Sequence, residues 1–402
     1  MEHGGFLLGA GVILGALALA GLLFRFLRQS VIPAFILLGM AVRPWAVDEH
    51  LVESVATLGV VLLLFFMGLE FSLGALLRNR RRIVRNGAID LAVCFPAGFV
   101  AGVAMGWGIR GGLLLAGAFY ISSSAIIAKS VIEMQRSANP EVEAALGVLV
   151  FEDLFIALFL AVLAGAVLVP EPDALGMAWG VGKALLFFGA VVLVALRARP
   201  LLDRAFDVES DDLFLLLSGS VVLLLSWAAL AAGLSEAIGA FLAGLALAET
   251  AHRERAERLF APLQGLFAAV FFLGFGLSID PGEFADVWAH ALALTLLGVA
   301  LKVAAGWWIG QRDGLSPRAS LALGLTLVPR GEFSIVLAGI AAAAGYGELA
   351  ALVALLVLAL SLVGTAAMTF APEIGRRAFP RRAERGLQDR GFSPDLAGFD
   401  PK

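Results

Sequence analysis

The sequence predicts an all-α membrane protein of about thirteen transmembrane helices, built as two inverted five-helix repeats in which two crossing helices are discontinuous. Three observations carry that expectation. Apolar runs of membrane-crossing length recur from end to end, Lys and Arg fall in alternate joints between them, and short blocks recur about 208 residues apart. Hydrophobic residues fill 60% of the 402 positions and charged ones 15%, with mean hydropathy +0.93. Soluble domains lie near roughly 45–50% and about 25%.

The spans follow in order, each bounded by charge, proline or a glycine-rich joint and each read as helix, the open-backbone form that satisfies its own polar groups in lipid. The first, 5–26, stops at Arg25 and Arg28, and the second, 30–43, at Arg43-Pro44. Segment 51–77 ends where Arg78, Arg80, Arg81, Arg82 and Arg85 begin, and 83–107 follows that run. Next come 112–134, after Arg110, and 140–169, from Pro140 to Pro170. Segments 174–197 and 211–231 flank the polar joint around Asp207 and Asp211, and 235–249 ends at Glu249. The last four are 258–279, 285–310, 316–343 and 348–377.

The odd-numbered joints and the C-terminal tail hold nearly all of the 29 Lys and Arg residues. The exceptions are Arg43, Arg110 and Lys183 on the opposite side, and Lys302 and Arg330 inside spans. The positive-inside rule therefore places the C-terminus in the cytoplasm and the N-terminus outside. No basic segment precedes the first run, which is expected to be a retained span rather than a cleaved signal. Cys94 is the only cysteine, so a disulfide framework and a Cys-based metal site are excluded. Residues 379–402 are polar and Arg-rich and are expected to form a solvated cytoplasmic tail.

The repeat is read from three blocks. VLLLFFMGLEF (61–71) resembles AVFFLGFGLSI (269–279), AFILLGMAV (34–42) resembles AFLAGLALA (240–248), and GAFYISSSAII (117–127) falls on LTLVPRGEFSI (325–335). Segments 2–6 and 9–13 are then two copies that enter the membrane from opposite sides, an arrangement frequent in secondary transporters. The corresponding fifth and twelfth segments both carry polar interruptions at mid-depth: Ser122-Ser123-Ser124 in one, Pro329-Arg330-Gly331-Glu332 in the other. Pro329 removes a backbone donor, so 316–343 is expected to break into half-helices whose inner ends carry about half a charge each. Arg330 and Glu332 are the charges expected to neutralise those ends.

Few ionisable groups lie at membrane depth: Glu152, Asp153, Lys302, Arg330, Glu332, Glu70, Glu236 and, nearer a span end, Asp90. Each costs at least roughly 2.5–3.5 kcal/mol at a helix centre unless paired or hydrated. In LGVLVFEDLFIALFLAVL (146–163), Glu152 and Asp153 project about 100° apart, so one can face an ion cavity and the other a neighbouring helix. Lys302 is the evident countercharge. A carboxylate offers a hard oxygen ligand to Na⁺ or K⁺ and can take a proton instead. A site that holds one or the other and alternates between sides performs antiport, with serine hydroxyls and freed carbonyls completing the coordination.

ISSSAIIAKSVIEM, VLVFEDLFIALFLAVLAG, GAFLAGLALAET, FFLGFGLSIDP and VPRGEFSIVLA resemble the monovalent cation:proton antiporter-2 family, in its Kef-type and NapA-like group. ISSSAIIAKS, SANPE, FEDLFIA and GLSIDP are most similar to KhtU-type potassium/proton antiporters, which work with a small soluble regulatory subunit. The resemblance covers roughly 5–375. It implies an NhaA-like fold and a homodimer, within an exchanger domain spanning 1–378. Dimerisation helices would be about 5–77 and 211–280, and an elevator-like core about 83–169 and 285–377. It places the cation and proton site at Asp153, where the transported ion would be the only metal, with Glu152 beside it. Ser122, Ser123, Ser124, Lys302, Arg330, Glu332 and Ser334 are the supporting residues. The family has Gln, Asp or Asn before the aspartate and this chain has Glu152. Lys302 falls where NapA-like members have a lysine that pairs with the acidic motif. Kef-type members carry a C-terminal nucleotide-binding domain; none is expected in these 402 residues, and such control is expected from another polypeptide. No cofactor is expected beyond transported K⁺ or Na⁺ and H⁺, no nucleic acid is an expected partner, and the chain is expected not to be an enzyme.

Three other classes fit less well. Gly274-Phe275-Gly276 is superficially similar to a potassium-channel filter but lacks the Thr-Val lead-in. A sodium-coupled symporter of organic anions would show more Asn, Gln and Tyr in its spans than Tyr120 and Tyr346 provide. An ATP-driven pump needs a phosphate loop, and GAGVILG at 9–15 reads instead as close helix packing.

Overall fold

In apolar surroundings a chain must bond its own amides, and the regular structure among the described residues is helical. The structure, a computed structural model, describes residues 2–380 apart from 28, 30, 44–48, 71–72, 137–138, 168–173, 233, 235, 279–281 and 283. The tail from 381, and the side chain of Glu70, lie outside the described residues.

The helices in chain order are α1 (Glu2–Phe26), α2 (Val31–Val42), α3 (Glu49–Glu70), α4 (Leu73–Ala104), α5 (Gly108–Tyr120), α6 (Ser124–Glu133), α7 (Pro140–Val167) and α8 (Ala174–Arg197). They continue with α9 (Arg199–Ala205), α10 (Asp211–Ala231), α11 (Glu236–Ala248), α12 (Arg253–Ser278), α13 (Phe284–Arg312), α14 (Pro317–Thr326), α15 (Glu332–Ala343) and α16 (Gly347–Ala378). Among the described residues, seven helical stretches are by themselves long and apolar enough to cross a membrane.

Several boundaries differ from the sequence expectation, among them the start of α12 at Arg253 rather than 258, and two of the differences have a clear local reason. Residues 73–77 belong to α4, not to the segment before, because α4 runs through the arginine cluster. Arginine is a good helix former, so the edge of an apolar run is not the edge of the helix. The short α9 lies in a joint expected to be irregular, with Pro200 in its first turn where proline is pre-organised for helix. Gly274–Gly276 lie inside α12 rather than in a filter loop. Gly9, Gly11 and Gly15 of α1 meet nothing within 4 Å, so the close packing expected of GAGVILG is not made within this chain.

The helices pack in two groups. In one, α3 lies against α11 and α12, α2 against α12 and α1, and α10 against α11. In the other, α4 packs on α5, α7 and α13, while α16 gathers α13, α14 and α15. Helix α8 touches both α7 and α11. Backbones approach closely where glycines face each other: a Cβ on Gly39 of α2 would stand 2.9 Å from the Gly276 Cα of α12. One on Gly68 of α3 would stand 3.0 Å from the Gly244 Cα of α11. Apolar side chains turn outward instead of inward on α1, α8 and α10, among them Leu8, Leu19, Leu186, Leu216 and Trp227. On α13, Trp288 and Trp308 are both exposed. At 1.5 Å per residue they stand about 30 Å apart, the spacing of the two interfacial belts of a bilayer.

Candidate functional site

The site forms where α5–α6 and α14–α15 are interrupted and the two interruptions touch. Helix α5 stops at Tyr120, and Ile121 turns extended with its N–H still donating to Gly117 O. Helix α14 stops at Thr326, before Pro329, which has no N–H to offer a further turn. The Ser123 N–H, left without a partner in its own helix, donates to Pro329 O at 2.9 Å. Ser122 Oγ donates to Leu327 O at 2.9 Å and Ser334 Oγ to Ala118 O at 2.8 Å. Gly331 is required here, because a Cβ at that position would run into the Ser123 side chain.

Four half-helix ends therefore meet, and two side chains of one short segment serve all of them. Arg330 Nε donates to Phe119 O, at the end of α5, at 3.0 Å. Its Nη1 donates to Leu327 O and Val328 O, at the end of α14, at 3.0 and 2.9 Å. Glu332 sits in the first turn of α15 and accepts from Ser123 Oγ at 3.0 Å and from the Ala125 N–H of α6. The cation thus lies at the two negative helix ends and the anion at the two positive ones, as the helix dipole demands. Both are buried.

Beside this crossing, α7 delivers the acidic pair. Glu152 is 0% exposed and accepts from the Ser122 N–H at 2.5 Å, from Ser122 Oγ at 3.1 Å and from Lys302 Nζ at 2.8 Å. Lys302, also fully buried, reaches from α13 and donates a second bond to Asp90 Oδ2 of α4 at 2.7 Å. Its ammonium lies 5.1 Å from the centroid of the Tyr120 ring, whose face attracts it. Cys94, one turn along α4, donates to the other Asp90 oxygen at 3.7 Å. Phe95, Phe155 and Phe159 pack edge-on or stacked around Tyr120 and close this cluster off. Asp153, the next residue of α7, is partly exposed.

Of the residues singled out in the sequence, Glu152, Lys302, Ser122, Ser123, Arg330, Glu332 and Ser334 are brought together by direct contacts. Ser124 opens α6 and is half-buried. Glu236 begins α11, away from the crossing. Asp90 was visible as an intramembrane charge, but nothing in the sequence gave it a partner: 212 positions separate it from Lys302. The cost of burying a lone carboxylate was the one available signal.

A family model described as "Sodium/hydrogen exchanger, transmembrane" matches residues 13–372. The K(+)/H(+) antiporter subunit KhtU of Bacillus subtilis is 37% identical over 383 residues, 90% of this chain and 92% of that protein. The ammonium/H(+) antiporter subunit AmhT of Alkalihalophilus pseudofirmus is 34% identical, over 95% of this chain and 97% of that protein. The fold is similar to that of the sodium proton antiporter MjNhaP1 of Methanocaldococcus jannaschii, with a TM-score of 0.68 at 16% identity over 92% of this chain and 98% of that one. With that match across most of its length, and relatives of these identities along nearly all of it, the chain belongs to the sodium/hydrogen exchanger family, in its monovalent cation:proton antiporter-2 branch, and its class is that of membrane cation/proton antiporters.

Proposed function

We propose that this chain exchanges a monovalent cation, K⁺ ahead of Na⁺, for protons across the cytoplasmic membrane, with Asp153 holding cation and proton in turn. One observation carries the reading: the two acids of α7 have divided environments. Glu152 is enclosed and bonded by Ser122 and Lys302, whereas Asp153, although its Oδ1 is buried, keeps part of its surface exposed. An acid that must meet ions from alternate sides needs the second environment. Carbonyls released from the broken helices and the serine hydroxyls supply further hard ligands, and the ions are cargo, so the mechanism needs no bound cofactor.

The remaining architecture supports alternating access. We read thirteen crossings with an external N-terminus and a cytoplasmic C-terminus, because Lys and Arg alternate across them. The close contacts support an inverted repeat. Gly98 packs on Ala116 and Gly306 on Gly324, pairs related by the 208-residue offset found in the sequence, and Gly68 and Gly276 are so related too. The α2–α3–α11–α12 group meets the group around the site only through lesser contacts, α11 with α7 and α2 with α16, which suits an elevator-like motion of the second against the first. The bare glycine-bearing face of α1 supports a homodimer built on the first group. Since KhtU and AmhT are both named as antiporter subunits, a separate soluble regulatory subunit on the cytoplasmic side completes the proposal.

Proteoliposomes holding a pH-sensitive dye test it. Added K⁺ should release an imposed proton gradient more effectively than Na⁺, Rb⁺ or Li⁺, with ammonium included because of AmhT; repeating the series under a membrane-potential clamp gives the exchange ratio. Full proton-coupled flux in Asp153→Asn would dismiss the site.

A further inference from the structure

The exchange mechanism assigns no task to Asp90, yet it is 0% exposed and bonded to the fully buried Lys302. We propose that Asp90 is a positioning residue that holds the Lys302 ammonium back from the cation site, and so sets the affinity for the transported ion. The proposal rests on the exchange reading above and deepens it.

The geometry is that of one cation shared between two anions on different helices. Lys302 Nζ lies 2.7 Å from Asp90 Oδ2 and 2.8 Å from Glu152 Oε1, so neither acid possesses it. Glu152 has another donor in the Ser122 N–H, with the Ser122 hydroxyl, shared with Leu327 O, also in reach, and keeps its place without the lysine. Besides Lys302, Asp90 meets the weak thiol donor of Cys94 and a side-chain hydrogen bond shared with Glu152. Asp90 therefore depends on Lys302, and it pulls the ammonium toward α4. Glu152 pulls it toward α7, where the neighbouring Asp153 offers its carboxylate to the transported ion. Without the first pull, Lys302 settles on α7 and its charge opposes an arriving cation at closer range. Coulomb repulsion grows as the inverse of distance and is large where water is excluded, so a small approach is expected to weaken cation binding about tenfold.

The test uses the full chain in proteoliposomes. Asp90→Asn should raise the apparent KM for K⁺ about tenfold while the maximal rate changes less than about twofold, and Asp90→Glu should restore the KM. In a Lys302→Met background the substitution at 90 should leave KM unchanged, because Asp90 acts through the lysine. Thermal unfolding covers the case in which single variants misfold. Lys302→Met strands a buried carboxylate, so the double variant Asp90→Asn/Lys302→Met should melt above Lys302→Met. An unchanged KM in Asp90→Asn overturns the proposal. So does an equal KM change with and without Lys302, a joint loss of rate and affinity that Asp90→Glu fails to restore, or a double variant that melts no higher than Lys302→Met. Wild-type vesicles that exchange no cation for protons would overturn the exchange reading and this proposal together, whereas an active wild type beside a silent Asp90→Asn removes this proposal alone.

Discussion

The two interrupted segments, 121–123 and 327–331, occupy corresponding places in the chain but carry opposite loads. The first is Ile121-Ser122-Ser123, with no charge, and its neighbours α4 and α7 contribute Asp90, Glu152 and Asp153. The second carries Arg330, and its neighbour α13 contributes Lys302. Acids come mainly from the earlier half and bases from the later one. Two matching interruptions thus carry different charge: acids gather beside the first, and the two buried cations, Arg330 and Lys302, lie on or beside the second. Glu332 is the exception, and it is occupied with helix ends rather than with the pair on α7.

Substitutions in the two halves separate backbone symmetry from charge asymmetry. The largest expected effect is loss of function in the acidic half: Asp153→Asn reduces proton-coupled cation flux to background in proteoliposomes while gel filtration still shows the folded assembly, since the change is nearly isosteric. The largest stability effect falls in the basic half. Arg330→Met strands the carbonyls of Phe119 and Val328 and takes one donor from Leu327, and should cost roughly 2–6 kcal/mol, read as a large drop in the thermal unfolding midpoint in detergent. Gly68→Ala and Gly276→Ala press a methyl group into the facing helix backbone and should each cost about 1–3 kcal/mol. Equal losses would sharpen the repeat, and a difference well beyond 1 kcal/mol between them would break it. Ser122→Ala removes hydroxyl bonds to Glu152 and Leu327 but leaves the backbone N–H bond, at roughly 1–2 kcal/mol. Smallest is Glu143→Gln, on the exposed ion pair with Arg82, at under about 1 kcal/mol and without effect on exchange.

What could be read beforehand follows the same division. Helix positions were legible because lipid leaves a chain few options, and both interruptions were marked by residues that do not belong in apolar helix: the serine run and Pro-Arg-Gly-Glu. That Lys302 balances the acids of α7 was legible from its place inside a span, but which of the two acids it bonds was not. Nor was Asp90, because its contact joins helices whose packing has no periodic trace in either sequence. The end of α3 and the existence of α9 were missed for a different reason. Apolar length marks the lipid boundary, while backbone hydrogen bonding continues past it through arginines and around Pro200.

The shared lysine also has a consequence for how the chain is made. Synthesis proceeds from the N-terminus, so Asp90 and Glu152 are delivered to the membrane 212 and 150 residues before the lysine that joins them. The carbonyl of Phe119 likewise waits 211 residues for Arg330. Until α13 and the second interruption arrive, Asp90 and Glu152 have only donors of the earlier half, Cys94 and Ser122, and the Phe119 carbonyl still awaits its guanidinium.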